Sequence, residues 1–183
     1  MTRSASLSYL LLVAVSVSAA HAATPASGAV GTLQLFDEVK VSPLPDEGAT
    51  DDAKRTTWAL DYATKGGGVG RAALYQSCGP HIGKISTTDR GIETLATAST
   101  IAGGFQLREP SRWTTLASQR AYRTEGLRGQ SVLISQWLVP TDNALASIRF
   151  ERAMGAPVER EVMAAIEQMQ FTCGAAAAVT AEG

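Results

Sequence analysis

The chain has 183 residues, of which 45% are hydrophobic and 18% charged, and its formal net charge is -1. This composition excludes a collagen-like chain, a disulfide-dense miniprotein and a mostly disordered chain. Because binding to nucleic-acid phosphates draws on an excess of Lys and Arg, the near-neutral balance also argues against nucleic acid as a partner. We therefore expect one globular domain.

Residues 1–22 have the pattern of a secretory signal peptide. Arg3 supplies the positive start, an apolar run covers Leu7–Val17, and Ala20–Ala22 has the small-residue pattern that a signal peptidase recognises. The run is too short for a stable membrane span, which needs about 20 apolar residues. We therefore expect a periplasmic or secreted protein with no stable membrane span after cleavage. The alternative is an uncleaved N-terminal anchor.

The mature chain has two cysteines, Cys78 and Cys173. An even pair in an oxidising compartment predicts one disulfide bond. The closed loop would hold about 95 residues, for which chain-entropy models give roughly 4–5 kcal/mol of stabilisation. The alternatives are two buried thiols or a single reactive thiol.

The first half of the mature chain predicts a short strand, a hairpin and a helix. Residues 23–31 are small and polar and are expected to be flexible, and a domain is expected over 32–174. Its first elements are a strand over 33–41, an acidic, proline-containing loop, a β-hairpin and a helix that begins at Thr88 or Asp89 and ends at Gly103–Gly104. The alternating hairpin strands are expected over residues 54–63 and 69–76, and the helix over residues 89–102.

The second half predicts three strands and a final helix, followed by a disordered tail over 175–183. The strands are expected over 113–124, 130–139 and 145–152. Pro157 suits the first turn of the helix. One apolar stripe on this helix is suited to docking on a sheet; its residues are Val158, Val162, Ile166 and Met169.

Hairpins and short turns imply an antiparallel sheet, so the order of elements predicts an α+β fold. The expected architecture is a twisted antiparallel sheet of about five strands with two helices packed on one face. The strands Gln130–Pro140 and Leu145–Phe150, with the amphipathic helix after them, resemble the PsbP-like family, in which a twisted antiparallel sheet packs against helices. This resemblance implies a fold and carries over no functional residue, because such folds serve many roles.

The segment Cys78-Gly79-Pro80-His81 is similar to a thioredoxin active site with the second cysteine replaced by histidine. A neighbouring imidazolium would lower the pKa of the Cys78 thiol and make it nucleophilic. The alternative interpretation is an ordinary turn, with Cys78 in a structural disulfide and His81 at the surface.

Five arginines cluster between residues 108 and 128. Arg112, Arg120 and Arg123, together with His81, are candidates for binding an anionic ligand or an acidic partner, because arginine pairs well with carboxylate and phosphate. The alternative is a solvated sheet face balanced by the acidic region over 37–52.

These features predict an exported binding protein of the bacterial cell envelope, without catalytic activity, cofactor or metal. Its partner would be a protein or a small molecule, and one form of this function is an immunity or inhibitor protein. The alternative is a thiol-dependent enzyme or redox protein that uses Cys78 and His81.

Overall fold

A computed structural model describes residues 24–35, 38–45 and 53–174. The predicted signal peptide and the predicted C-terminal tail lie outside the described residues. The strands are β1 (Thr24–Ser27), β2 (Gly31–Leu35), β3 (Val39–Leu44), β4 (Lys54–Ala63), β5 (Val69–Gly79), β6 (Gln106–Leu107), β7 (Arg112–Leu116), β8 (Gln119–Arg128), β9 (Val132–Pro140), β10 (Leu145–Ala153) and β11 (Gln170–Phe171). The helices are α1 (Asp89–Ala102) and α2 (Glu159–Glu167).

The described strands form two antiparallel sheets. The larger sheet has eight strands in the order β3-β4-β5-β10-β9-β8-β6, and β7 pairs with β8 beside this path. The smaller sheet has the order β1-β2-β11, so residues 24–27, within the segment expected to be flexible, form a paired strand. The fold is mostly β, and the prediction of an α+β domain with about five strands is wrong.

Two of the additional strands come from predicted strands that divide in two, and the others, β1, β6 and β11, lie outside the predicted strands. The segment predicted as one strand over 113–124 is the β7–β8 hairpin, which turns at Ala117 and Ser118 with φ values of 48° and 64°. Turns with positive φ usually contain Gly, Asn or Asp, because other residues rarely adopt positive φ. This turn contains none of the three, so no residue in it predicted a turn. The segment predicted as a strand over 33–41 likewise contributes β2 and β3, which belong to different sheets.

The predicted hairpin and first helix are confirmed. β4 pairs with β5 along its whole length, and α1 covers the expected residues 89–102. The Thr88 side chain accepts a hydrogen bond from Gly91 N at 3.1 Å, and Gly103 follows the last helical residue. The threonines of α1 donate to carbonyl groups four residues earlier, so their hydroxyls are satisfied inside the helix.

The main core fills the space between the larger sheet, the smaller sheet and α2. The predicted α2 stripe is confirmed, since Val158, Val162, Ile166 and Met169 are all buried there. α1 lies elsewhere: its Ile92 and Ala96 pack on Leu138 of β9.

The two helices cover opposite faces of the larger sheet. Trp137 and Val139 belong to the main core, whereas Leu138 between them contacts α1. Successive side chains of a strand point to opposite faces, so the prediction of both helices on one face is wrong. Burial on both faces is also the reason that every residue over 133–139 is buried, including the polar Ser135 and Gln136.

The predicted disulfide bond is present. Cys78 near the end of β5 is bonded to Cys173 just after β11, with 5.7 Å between their Cα atoms. The bond therefore ties the smaller sheet and the end of the domain to an interior strand of the larger sheet. Within the described residues, no helix is long and apolar enough to cross a membrane.

Candidate functional site

An open groove runs between α1 and the sheet face on which α1 packs. It consists of two adjoining hollows of about 710 Å³ and about 350 Å³. Arg55, Ser77, Ser99 and Ser147 line both hollows, so the two form one elongated depression. We call it the α1 groove; its floor comes from β4, β5, β9 and β10, and its wall from α1.

Strand register builds the floor of the larger hollow. Thr57 lies opposite Tyr75, Tyr75 opposite Arg149, and Arg149 opposite Gln136. These four residues therefore form one polar row across four strands. The neighbours of this row along each strand, such as Leu74, point to the main core on the opposite face.

A second row crosses the same strands where the two hollows meet. Arg55 lies opposite Ser77, Ser77 opposite Ser147, and Ser147 opposite Leu138. The row changes from charged to hydroxyl-bearing to apolar across the sheet. At this level the polarity of the floor therefore changes from β4 to β9.

The electrostatics of the groove centre on Arg149. Its guanidinium carbon lies 4.5 Å from the centre of the Tyr75 ring, and its Nε lies 3.0 Å from Glu151 Oε1. Glu151 is also ion-paired with Arg128, so one buried carboxylate is shared by two arginines. Among the described residues that line either hollow there is no Asp or Glu. The described lining residues therefore supply the larger hollow with cationic hydrogen-bond donors.

A buried, unpaired polar group lies next to the groove. Gln136 is 6% exposed and lines the larger hollow. Thr124, which lies opposite Gln136 in the pairing of β8 with β9, has a buried hydroxyl with no hydrogen-bond partner among the described residues. Buried polar groups are nearly always hydrogen-bonded in native proteins, so the Thr124 hydroxyl is an exception that lies beside the groove floor.

His81 lies next to the groove but is held by the fold. Its Nε2 is 2.8 Å from Thr141 O and its Nδ1 is 2.9 Å from Ser86 Oγ. Because a carbonyl oxygen only accepts, Nε2 donates to Thr141 O and Nδ1 accepts from the Ser86 hydroxyl. Ser86 Oγ also accepts from Ile82 N at 2.8 Å. His81 thus links the segment after β5 to the β9–β10 turn.

Arg120 connects β8 to the start of α1. It donates two hydrogen bonds to Asp89, at 2.6 and 2.7 Å, and its guanidinium carbon lies 3.7 Å from the centre of the Trp113 ring. The Arg120 guanidinium holds the pKa of the Asp89 carboxyl below its usual value, and the carboxylate in turn raises the pKa of Arg120. Burial raises the pKa of the nearby Tyr122 hydroxyl, and the Glu93 carboxylate adds to this shift.

The other two candidate arginines lie opposite each other in the β7–β8 hairpin. Arg112 donates to Glu109 at 3.2 Å and Arg123 donates to Glu125 at 2.6 Å. None of Arg112, Arg120 and Arg123 lines the α1 groove. A role for them in binding stays a prediction.

Two other arginines, Arg55 and Arg149, line the groove, and the sequence analysis does not predict them as binding residues. The alternation of β10 placed Ser147 and Arg149 on the face away from the main core. However, the pairing of β10 with β5 joins positions about 70 residues apart, such as Arg149 and Tyr75. No local signal specifies such a pairing, so the cluster was not visible in the sequence.

Comparisons with known proteins assign the chain to no family. No protein family matches the chain. No curated protein matches it. Among solved structures, the chain is similar to that of PA94, a protein of unknown function from Pseudomonas aeruginosa, with 11% sequence identity and a TM-score of 0.38 over 78% of this chain and 90% of that chain. A similarity of this size carries no argument about fold or function.

Proposed function

We propose that this chain is an exported binding protein of the bacterial cell envelope, without catalytic activity, whose ligand binds in the α1 groove. The observation that carries the proposal is the polar row Thr57–Tyr75–Arg149–Gln136, which lines a depression of about 710 Å³. Ligand sites are concave and combine apolar walls with a few convergent polar groups, as this groove does.

The thiol-dependent alternative has little support. It requires a free Cys78, and the Cys78 sulfur is bonded to Cys173. It also requires a histidine available for proton transfer, and both ring nitrogens of His81 are hydrogen-bonded within the fold. Among the described residues, no group of three or more His, Cys, Asp or Glu could hold a metal ion. The immunity or inhibitor form of the function stays a prediction.

The function is tested by closing the groove. Ser147 lies at the junction of the two hollows, so a Ser147→Trp variant would place an indole across the floor. Thr97→Trp is the matched control, because Thr97 is exposed on α1, two residues from the groove-lining Leu95 and Ser99 and thus on the other side of the helix.

Each protein is exported with its own signal sequence, purified from periplasm and analysed for co-purified ligands and proteins by native mass spectrometry. We expect bound species on the wild type and on Thr97→Trp, and their loss from Ser147→Trp. Equal occupancy of all three proteins would place the binding surface elsewhere. Absence of any bound species from the wild type, also after incubation with periplasmic extract, would contradict a binding function.

A further inference from the structure

The α1 groove has two chemically different ends. The larger hollow carries the polar row described above, with Arg149 at its centre. The smaller hollow is lined mainly by apolar side chains: Pro80, Ile82, Leu95, Leu138 and Leu145. Leu145 and Arg149 are four residues apart on β10, which corresponds to about 13 Å along an extended strand. A ligand that fills both ends is therefore elongated, polar at one end and apolar at the other.

The polar end is built to bind an anion. Arg149 lies against the Tyr75 ring on one side and is ion-paired with Glu151, although its Nε and Glu151 Oε1 do not meet in hydrogen-bond geometry. Within the described residues no hydrogen bond is made by its two Nη groups, which hold four N–H donors. The guanidinium therefore keeps the planar donor edge that binds carboxylate or phosphate oxygens.

The Gln136 amide supports the same assignment. The Gln136 side chain is more than nine-tenths buried, lies beside Arg149 in the polar row and lines the larger hollow. An amide group offers both a donor and an acceptor. An anionic head group with its bound water or hydroxyl can satisfy it, whereas an alkyl chain cannot.

We infer that the ligand of the α1 groove is an elongated amphiphile whose single anionic head group pairs with Arg149 and whose apolar chain lies in the smaller hollow, toward Ile82 and Leu138. The inference rests on the proposed function and specifies its ligand class. The head group is a carboxylate or a phosphate, since a guanidinium binds both. The chain gains affinity because it leaves water for an apolar surface.

The test uses decanoate, decyl phosphate, decanol, decyltrimethylammonium and acetate as probes, each titrated calorimetrically into the mature protein below the concentration at which the probe aggregates. We expect decanoate or decyl phosphate to bind, and the tighter of the two assigns the head group. Decanol is expected to bind about 10- to 100-fold more weakly, because it lacks the charge-assisted hydrogen bonds to Arg149. Binding of decyltrimethylammonium equal to that of decanoate, or of acetate equal to that of decanoate, would overturn the inference.

Variants separate the two ends of the groove. Arg149→Gln is expected to weaken binding of the anionic probe about 10- to 100-fold and to leave decanol unchanged. Arg128→Gln is its matched control, because Arg128 also pairs with Glu151 but does not line the groove. Ile82→Asn changes an exposed residue of the apolar end and is expected to weaken the anionic probe and decanol alike. Equal effects of Arg149→Gln and Arg128→Gln would refute the role of Arg149.

Failure of this inference can be told apart from failure of the proposed function. If no amphiphile binds but Ser147→Trp still removes a co-purified species, the groove binds a ligand of another class and only this inference fails. If an amphiphile binds equally well to Ser147→Trp and to the wild type, the probe lies outside the groove and this inference fails. The proposed function fails as well only if the co-purified species also remains on Ser147→Trp.

Discussion

Removing the disulfide bond should cost this domain a large part of its stability. Cys78 and Cys173 are 95 residues apart, and the chain-entropy relation for a loop of that length gives about 4.7 kcal/mol at 25 °C. A domain of this size is stable by about 5–15 kcal/mol in total, so the loss is a third of that or more. The expected fall in melting temperature is about 10–20 °C, at about 2–4 °C per kcal/mol.

The assay is urea unfolding of the oxidised protein, the reduced protein and the Cys78→Ser/Cys173→Ser double variant. Reduction isolates the covalent bond, whereas the double variant also changes the buried Cys173 side chain, so comparing the two separates the cross-link from packing. If the bond acts on the unfolded chain, both forms should unfold with a steeper dependence on urea, because the unfolded state becomes less compact. A loss below 1 kcal/mol with an unchanged slope would refute this reasoning.

Three further predictions concern packing and charge. Gly91→Ala should destabilise the domain by about 1–3 kcal/mol in thermal unfolding, although alanine favours helices, because the new Cβ would lie 1.6 Å from Ile85 O; a gain in stability would contradict this. Phe150→Ala should cost about 3–5 kcal/mol in urea unfolding, since Phe150 is fully buried in the main core, and a cost below 1 kcal/mol would show that the site collapses around the cavity. Arg120 lowers the pKa of Asp89, so the stability from this pair is present at neutral pH and is lost as pH falls through that lowered pKa. Arg120→Gln should therefore raise the pKa of Asp89 in a carboxyl NMR titration, and an unchanged pKa would refute the assignment.

Local patterns in the sequence determined the elements with the strongest signals. The alternation over residues 54–63 specified β4 and the face that it buries, and the cap at Thr88 and the glycine at position 103 specified both ends of α1. The disulfide followed from two cysteines and the expected export. The strand and the helix depend on interactions between neighbouring residues, and the disulfide has only one possible pairing of the two cysteines, so the sequence is sufficient to predict them.

Tertiary structure alone decided the placement of α1, the β7–β8 turn and the α1 groove. The turn at Ala117 and Ser118 uses backbone conformations that those residues do not favour, and it is imposed by the pairing of the strands around it. The groove exists because β10 pairs with β5 and β9 in a register that brings Arg149 beside Tyr75 and Gln136. Such a register minimises the free energy of the whole sheet, including side chains far apart in the chain, and no local segment contains that information.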